Sequence, residues 1–194
     1  VVGRNSVSGP DVALPREALD AIAEAQTGEG IRAVAPGTRG LGRDVGRAVF
    51  RRSGEPDHVA VSSALNNAQR DRVAAHEIGH VIDQVAGELP TTGVMNELKG
   101  VYNTLNTGRE RTTNLMGPQH VGYTGPDVSR ELWAEFIRAY MADSNYAKTV
   151  APKSAEALRK AVNPNPRLNK TIQFNSVGAP VALWALSDPQ QGQQ

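Results

Sequence analysis

Five consecutive residues carry the densest chemistry in the chain: His76-Glu77-Ile78-Gly79-His80. On a helix, side chains four apart stand one turn above each other, so both imidazoles can reach a single ion. A His-Glu-x-x-His pattern of this kind holds zinc through its two imidazoles. The intervening carboxylate stands where it can take a proton from an attacking water. Helical spacing gathers His76, Glu77, His80, Asp83 and Gln84 on one side, with Ile78, Val81, Ile82 and Val85 nearly opposite. One face packs while the other presents polar groups. The alternative is a pair of ordinary helix histidines beside a solvated glutamate.

A catalytic zinc takes three protein ligands and keeps one position for water. The chain has no cysteine, so the ligands must be imidazole and carboxylate. The longer metzincin pattern is excluded, because it needs Gly at position 83 and a ligand at 86, which are Asp83 and Ala86. The third ligand must come from elsewhere in the chain, and the segment Arg130–Ile137 offers it. There Leu132, Trp133, Phe136, Ile137 and Tyr140 form an apolar side, while Glu131, Glu135 and Arg138 share another. Two carboxylates one turn apart suit a division of labour, one binding zinc and the other orienting a ligand histidine. A solvated Glu-Glu-Arg stripe is the competing reading. Asp83, three residues after His80, is expected either to support a ligand histidine or to face water.

The elements that must position these groups follow from pattern and punctuation. Residues 1–13 read as a tether, and a short helix follows with Pro15 in its first turn and Leu19, Ile22 and Ala23 on one face. Strand-like runs occupy Ile31–Val34, Ala48–Arg52 and His58–Ser62, the last two joined by a turn-forming Ser53–Asp57. The glycine-rich stretch 34–46 has neither P-loop nor dinucleotide spacing and reads as a loop. A long helix is predicted over 66–86, ending at Gly87, with further helices over 92–106, 128–142 and 153–162. The unpatterned segment 107–126 is long enough to have a job of its own. Two short apolar runs, Thr171–Phe174 and Val181–Leu186, precede a frayed tail at 191–194. Residues 14–190 are read as a single domain.

Bulk properties restrict the function classes. At 194 residues the chain suits one domain with a real core. Lys+Arg 21 against Asp+Glu 20 gives +1, so no broad field exists to hold nucleic acid or acidic lipid. Arg43, Arg47, Arg51 and Arg52 form only a local basic cluster. The longest apolar run, Ala179–Leu186, falls far short of the roughly 20 residues that span a bilayer. The chain opens on Val1 without an initiator Met or a signal-peptide pattern, and is expected to be a piece of a longer protein.

Two blocks of the sequence resemble the catalytic domain of the anthrax lethal factor-like zinc metallopeptidases. The first is Ala75–Asp83 with Ala86-Gly87-Glu88-Leu89, and the second is Glu131-Leu132-Trp133-Ala134-Glu135-Phe136. Ala151-Pro152-Lys153 adds a fainter echo, so the likeness covers about residues 73–165. The resemblance implies that Glu131 is the zinc ligand beside His76 and His80, with Glu135 supporting a ligand histidine. It also implies a tyrosine shortly before that glutamate that stabilises the tetrahedral intermediate. Tyr123 is the candidate, at a spacing one residue different from the family's, and His120 in the same loop is a second.

The expected fold is α+β in the zincin style, with a small mixed sheet above the zinc helix and a helical lower half. The expected reaction is peptide hydrolysis, with Zn2+ as cofactor and Glu77 moving the proton. The strand near His58–Ser62 is expected to pair with an extended substrate. The resemblance further implies a secreted effector delivered into the cytoplasm or periplasm of a target cell. Its partners would be a protein or peptide substrate and a cognate immunity protein. Rival readings are a zinc amidase acting on cell-wall peptide and a binding module that keeps the zinc fold without turnover.

Overall fold

The computed structural model of the chain describes residues 13–109 and 113–169. Most of the expected tether, both late apolar runs and the tail at 191–194 lie outside the described residues. Among the described residues the architecture is α+β, with seven α-helices and a three-stranded mixed sheet. In chain order the elements are α1 (Arg16–Thr27), β1 (Ile31–Val34), β2 (Gly46–Phe50), β3 (Pro56–Ser62), α2 (Asn67–Val85) and α3 (Met95–Thr107). A 3-10 turn at Pro118–Val121 leads to α4 (Pro126–Ala142), α5 (Ser144–Val150), α6 (Pro152–Val162) and α7 (Pro166–Asn169).

Local chemistry explains the boundaries of the two helices that matter most. Asn66 starts α2 with a reciprocal cap: its Oδ1 accepts from Gln69 N at 2.9 Å, and Gln69 Oε1 accepts from Asn66 N at 3.2 Å. The helix stops at Gly87, whose φ of 85° is the left-handed conformation that glycine adopts without strain. Pro126 opens α4 in the first turn, where its missing N–H is no loss. Asp143 closes that helix and caps the next one, accepting from Tyr146 N at 2.9 Å. That break falls where the helix expected over 128–142 ends; α5 and α7 lie outside the expected helices, being too short to show a periodic signal.

The sheet runs in the order β1-β3-β2, with β1 parallel and β2 antiparallel to β3. This corrects the expectation that His58–Ser62 offers a free edge to substrate. That segment is the central strand, and both its edges are taken up by neighbours. The long connection before β2 lets it fold back antiparallel, so β2 carries the open edge that faces the chemistry. Sheet and helices share one core, to which β3 gives Val59 and Val61, α2 gives Ile78, Val81 and Ile82, and α4 gives Leu132, Trp133, Phe136 and Ile137.

Helices α2 and α4 meet almost backbone to backbone. A Cβ at Gly79 would lie 2.6 Å from Ala134 O and 2.8 Å from Ala134 Cα, so only glycine permits the crossing. The obstacle is main chain and cannot swing away. Gly79→Ala should therefore push the helices apart at a cost of about 2–3 kcal/mol, lowering Tm by roughly 5–10 °C, and should weaken metal uptake in parallel. Thermal unfolding with and without zinc checks this; an unchanged melting curve and unchanged zinc content would contradict it.

Candidate metal centre

The crossing at Gly79 brings α2 against the middle of α4, at Ala134. His76 and His80 rise from α2, one turn apart, with their rings edge to face at a centroid separation of 4.9 Å. Glu131 descends from α4 between them. His76 Nε2 lies 3.0 Å from Glu131 Oε2, His80 Nε2 lies 3.2 Å from Glu131 Oε1, and the two Nε2 atoms are 3.2 Å apart. These three residues are a set able to hold a metal ion.

The donor set fits zinc in both type and size. With metal–ligand distances of about 2.0–2.1 Å, tetrahedral geometry sets neighbouring donors about 3.3 Å apart. The triangle of 3.0, 3.2 and 3.2 Å is close to that. Protons on the ring nitrogens can bridge these contacts, and a metal cation among the three groups would take the place of those protons. The titration directions express the demand for positive charge. Burial opposes protonation of His76, but Glu131 and Glu135 outweigh it and raise the imidazole to about 10. Burial pushes Glu131 up, yet the facing histidines bring it down to about 2.

Glu135 lies behind His76 rather than beside the donors. Its Oε2 is 3.7 Å from His76 Nδ1, its side chain is 5% exposed, and it accepts from Arg138 Nε at 2.5 Å and Asn106 Nδ2 at 3.1 Å. Burial penalises its charge, but Arg138 and His76 hold it well below the usual carboxylate range. A carboxylate on the far nitrogen of a ligand imidazole fixes the ring and favours the tautomer with Nε2 free to ligate.

Glu77 projects from the same face of α2 toward the sheet. Its Oε2 accepts from Ala48 N at 2.8 Å, a backbone donor of β2. Gly46 makes this contact possible, because a Cβ there would collide with Val73 and come within 2.8 Å of Glu77 Oε1. Burial raises the Glu77 carboxyl, opposed by the two histidines and the Ala48 N–H. The role of Gly46 was not legible in a run read as loop.

The other expected residues separate clearly. Tyr123 stands at the mouth of the cleft, and burial together with the charges of Glu131 and Glu77 pushes its phenol upward. His120 is exposed and closes its own turn, with Nδ1 3.0 Å from Gly117 N, and does not line the cleft. Asp83 neither supports a ligand histidine nor faces water. Its buried carboxylate accepts from Leu89 N at 2.8 Å and from Arg130 Nη1 at 2.6 Å, so it ties the end of α2 to the start of α4.

All of these groups except His120 line one cleft of about 790 Å³, bounded by β2, α2, α3 and α4. The exposed large apolar side chains among the described residues are Val45 (54%), Phe50 (36%), Val121 (54%) and Tyr123 (39%), and every one lines this cleft. Exposed apolar surface concentrated around one opening marks a place where a partner binds. Among the described residues no helix is long and apolar enough to cross a membrane. No protein-family model, curated protein or solved structure matches the chain.

Proposed function

We propose that the chain is a zinc-dependent endopeptidase with a zincin-type fold, the catalytic part of a secreted effector related to the lethal factor-like enzymes. One observation carries the reading: two imidazoles of α2 and a carboxylate of α4 meet in a zinc-sized triangle, with a second, non-ligating carboxylate, Glu77, beside them. Bound there, zinc would polarise a scissile carbonyl and acidify water, the Lewis-acid chemistry that hydrolyses amides. His76, His80 and Glu131 would hold the ion, and Glu135 would orient the His76 ring. Glu77, anchored on Ala48 N–H, takes the proton of the attacking water and returns it to the leaving amine. The upward push that burial gives its carboxyl moves it toward the range where one group can do both. The Tyr123 phenol stays protonated and can donate to the oxyanion.

Two features favour a polypeptide over a small amide. The open edge of β2 borders the cleft and can pair with an extended chain. Apolar side chains on both sides of the mouth suit bulky residues flanking the scissile bond. The expected result is about one zinc per chain in purified protein, with cleavage of a mixed peptide library that stops with a chelator and returns with zinc. Mass spectrometry of the digest and metal analysis provide the readout. Release from peptidoglycan without cleavage of the library would transfer the activity to the cell-wall amidase reading. Tight zinc with neither activity would favour a binding module.

A further inference from the structure

Four arginines line the cleft, and three of them are accounted for. Arg47 pairs with Asp44 at 2.6 Å, Arg130 is held by Asp83 and by Leu89 O at 2.8 Å, and Arg43 is exposed on the rim and solvated. Arg72 differs from all three. It is half-buried in the cleft wall, and among the described residues no carboxylate pairs with it. It also stands four residues before His76 on α2, hence one turn and about 6 Å along the axis from a metal ligand. The same wall holds Tyr102, Asn106 and Met116; burial, with Glu135 and Glu131, pushes the Tyr102 hydroxyl up to about 12, and the Arg72 charge works against that rise. Two carboxylates that line the same cleft are committed elsewhere: Glu135 to Arg138 and His76, Glu131 to both imidazoles. A partly desolvated guanidinium without a counter-charge is unfavourable in the free protein and gains most from an arriving anion.

We propose that Arg72 is a specificity-determining residue that binds a substrate carboxylate next to the scissile bond, so that the cleft selects acidic peptides. The planar guanidinium can take both carboxylate oxygens at once, and the apolar rim then holds the residues further out. The assignment rests on the peptidase reading for what is cleaved, but the recognition itself can be read without turnover.

The test uses three zinc-chelating hydroxamates on the full chain loaded with zinc. The first carries a C-terminally amidated Glu, the second an amidated Gln, and the third a Gln with a free C-terminal carboxylate. Affinities are measured by calorimetry, and a peptide library is digested in parallel. The wild-type protein should bind one of the charged compounds about tenfold more tightly than the amidated Gln compound. The first against the second reports a side-chain carboxylate, and the third against the second a chain terminus. Arg72→Gln should bring the ratio close to one, and Arg72→Glu should invert it. Equal affinities in the wild type, or a preference that survives Arg72→Gln, would overturn the assignment even if peptides are cleaved. A preference that needs Arg72 while no peptide is cleaved would keep the assignment and remove the peptidase reading. Binding of none of the three would overturn both.

Discussion

Replacing Glu77 by Gln should lower kcat/KM for peptide hydrolysis about 1000-fold while zinc content and Tm stay at wild-type values. The amide has nearly the shape of the carboxylate and can still accept from Ala48 N–H, so strand β2 keeps its seat on α2. What disappears is the ability to take up and return a proton. Glu77 is not among the residues that converge on the metal position, which is why binding and turnover should separate at this site. Steady-state kinetics on a peptide recovered from the library, with metal analysis of the same preparation, gives both readouts. Activity within tenfold of wild type would end the proposal that Glu77 is the general base. The Ala variant should lose as much activity, and some stability with it.

The opposite pattern is expected at Glu131. Glu131→Ala removes one of three protein donors. If about 10–16 kcal/mol of zinc binding is shared over four ligands, each is worth roughly 3 kcal/mol, so affinity should fall more than 100-fold. Glu135→Gln is the matched control, since its carboxylate touches His76 through the far nitrogen and should cost only about 10–100-fold. The isosteric change matters here, because Arg138 lies fully buried against that carboxylate and truncation would disturb the core as well as the ring. Competition with a chromogenic chelator ranks the two variants. Stoichiometric zinc in Glu131→Ala together with loss in Glu135→Gln would reverse the assignment of ligand and support.

How far the sequence reaches into this site depends on how local each determinant is. Helix α2 is legible because motif, amphipathic split, cap and stop all fall within one segment, Asn66–Gly87. Glu131 is legible as one of two carboxylates, and only the resemblance chooses between them. The physical reason for the choice is the crossing at Gly79, where α4 approaches α2 with Glu131 on the near turn and Glu135 one turn deeper. That contact joins positions 55 residues apart and has no signature in either segment. The same holds for the open edge of the sheet. Hairpin chemistry predicts that β2 and β3 pair, but not that β1 arrives on the other side of β3 and leaves β2 outermost. Asp83 points the same way: on the metal face by helical phase, it is claimed by Leu89 and Arg130, which phase does not include. Arg72 does carry a local signal, the four-residue step to His76, hidden because a lone arginine has no motif to announce it.

The exposed margin of β2 has one more consequence, for how the protein behaves among copies of itself. A strand ready to accept a peptide is equally ready to accept the same strand of a neighbouring molecule, the first step toward aggregation. Here four arginines flank that margin; Arg47 is paired with Asp44 and Arg51 with Asp57, while Arg43 and Arg52 stand exposed at either end. Two such margins brought together antiparallel would still set exposed cations at both ends, which discourages self-association. Neutralising Arg43 and Arg52 should therefore show first as self-association.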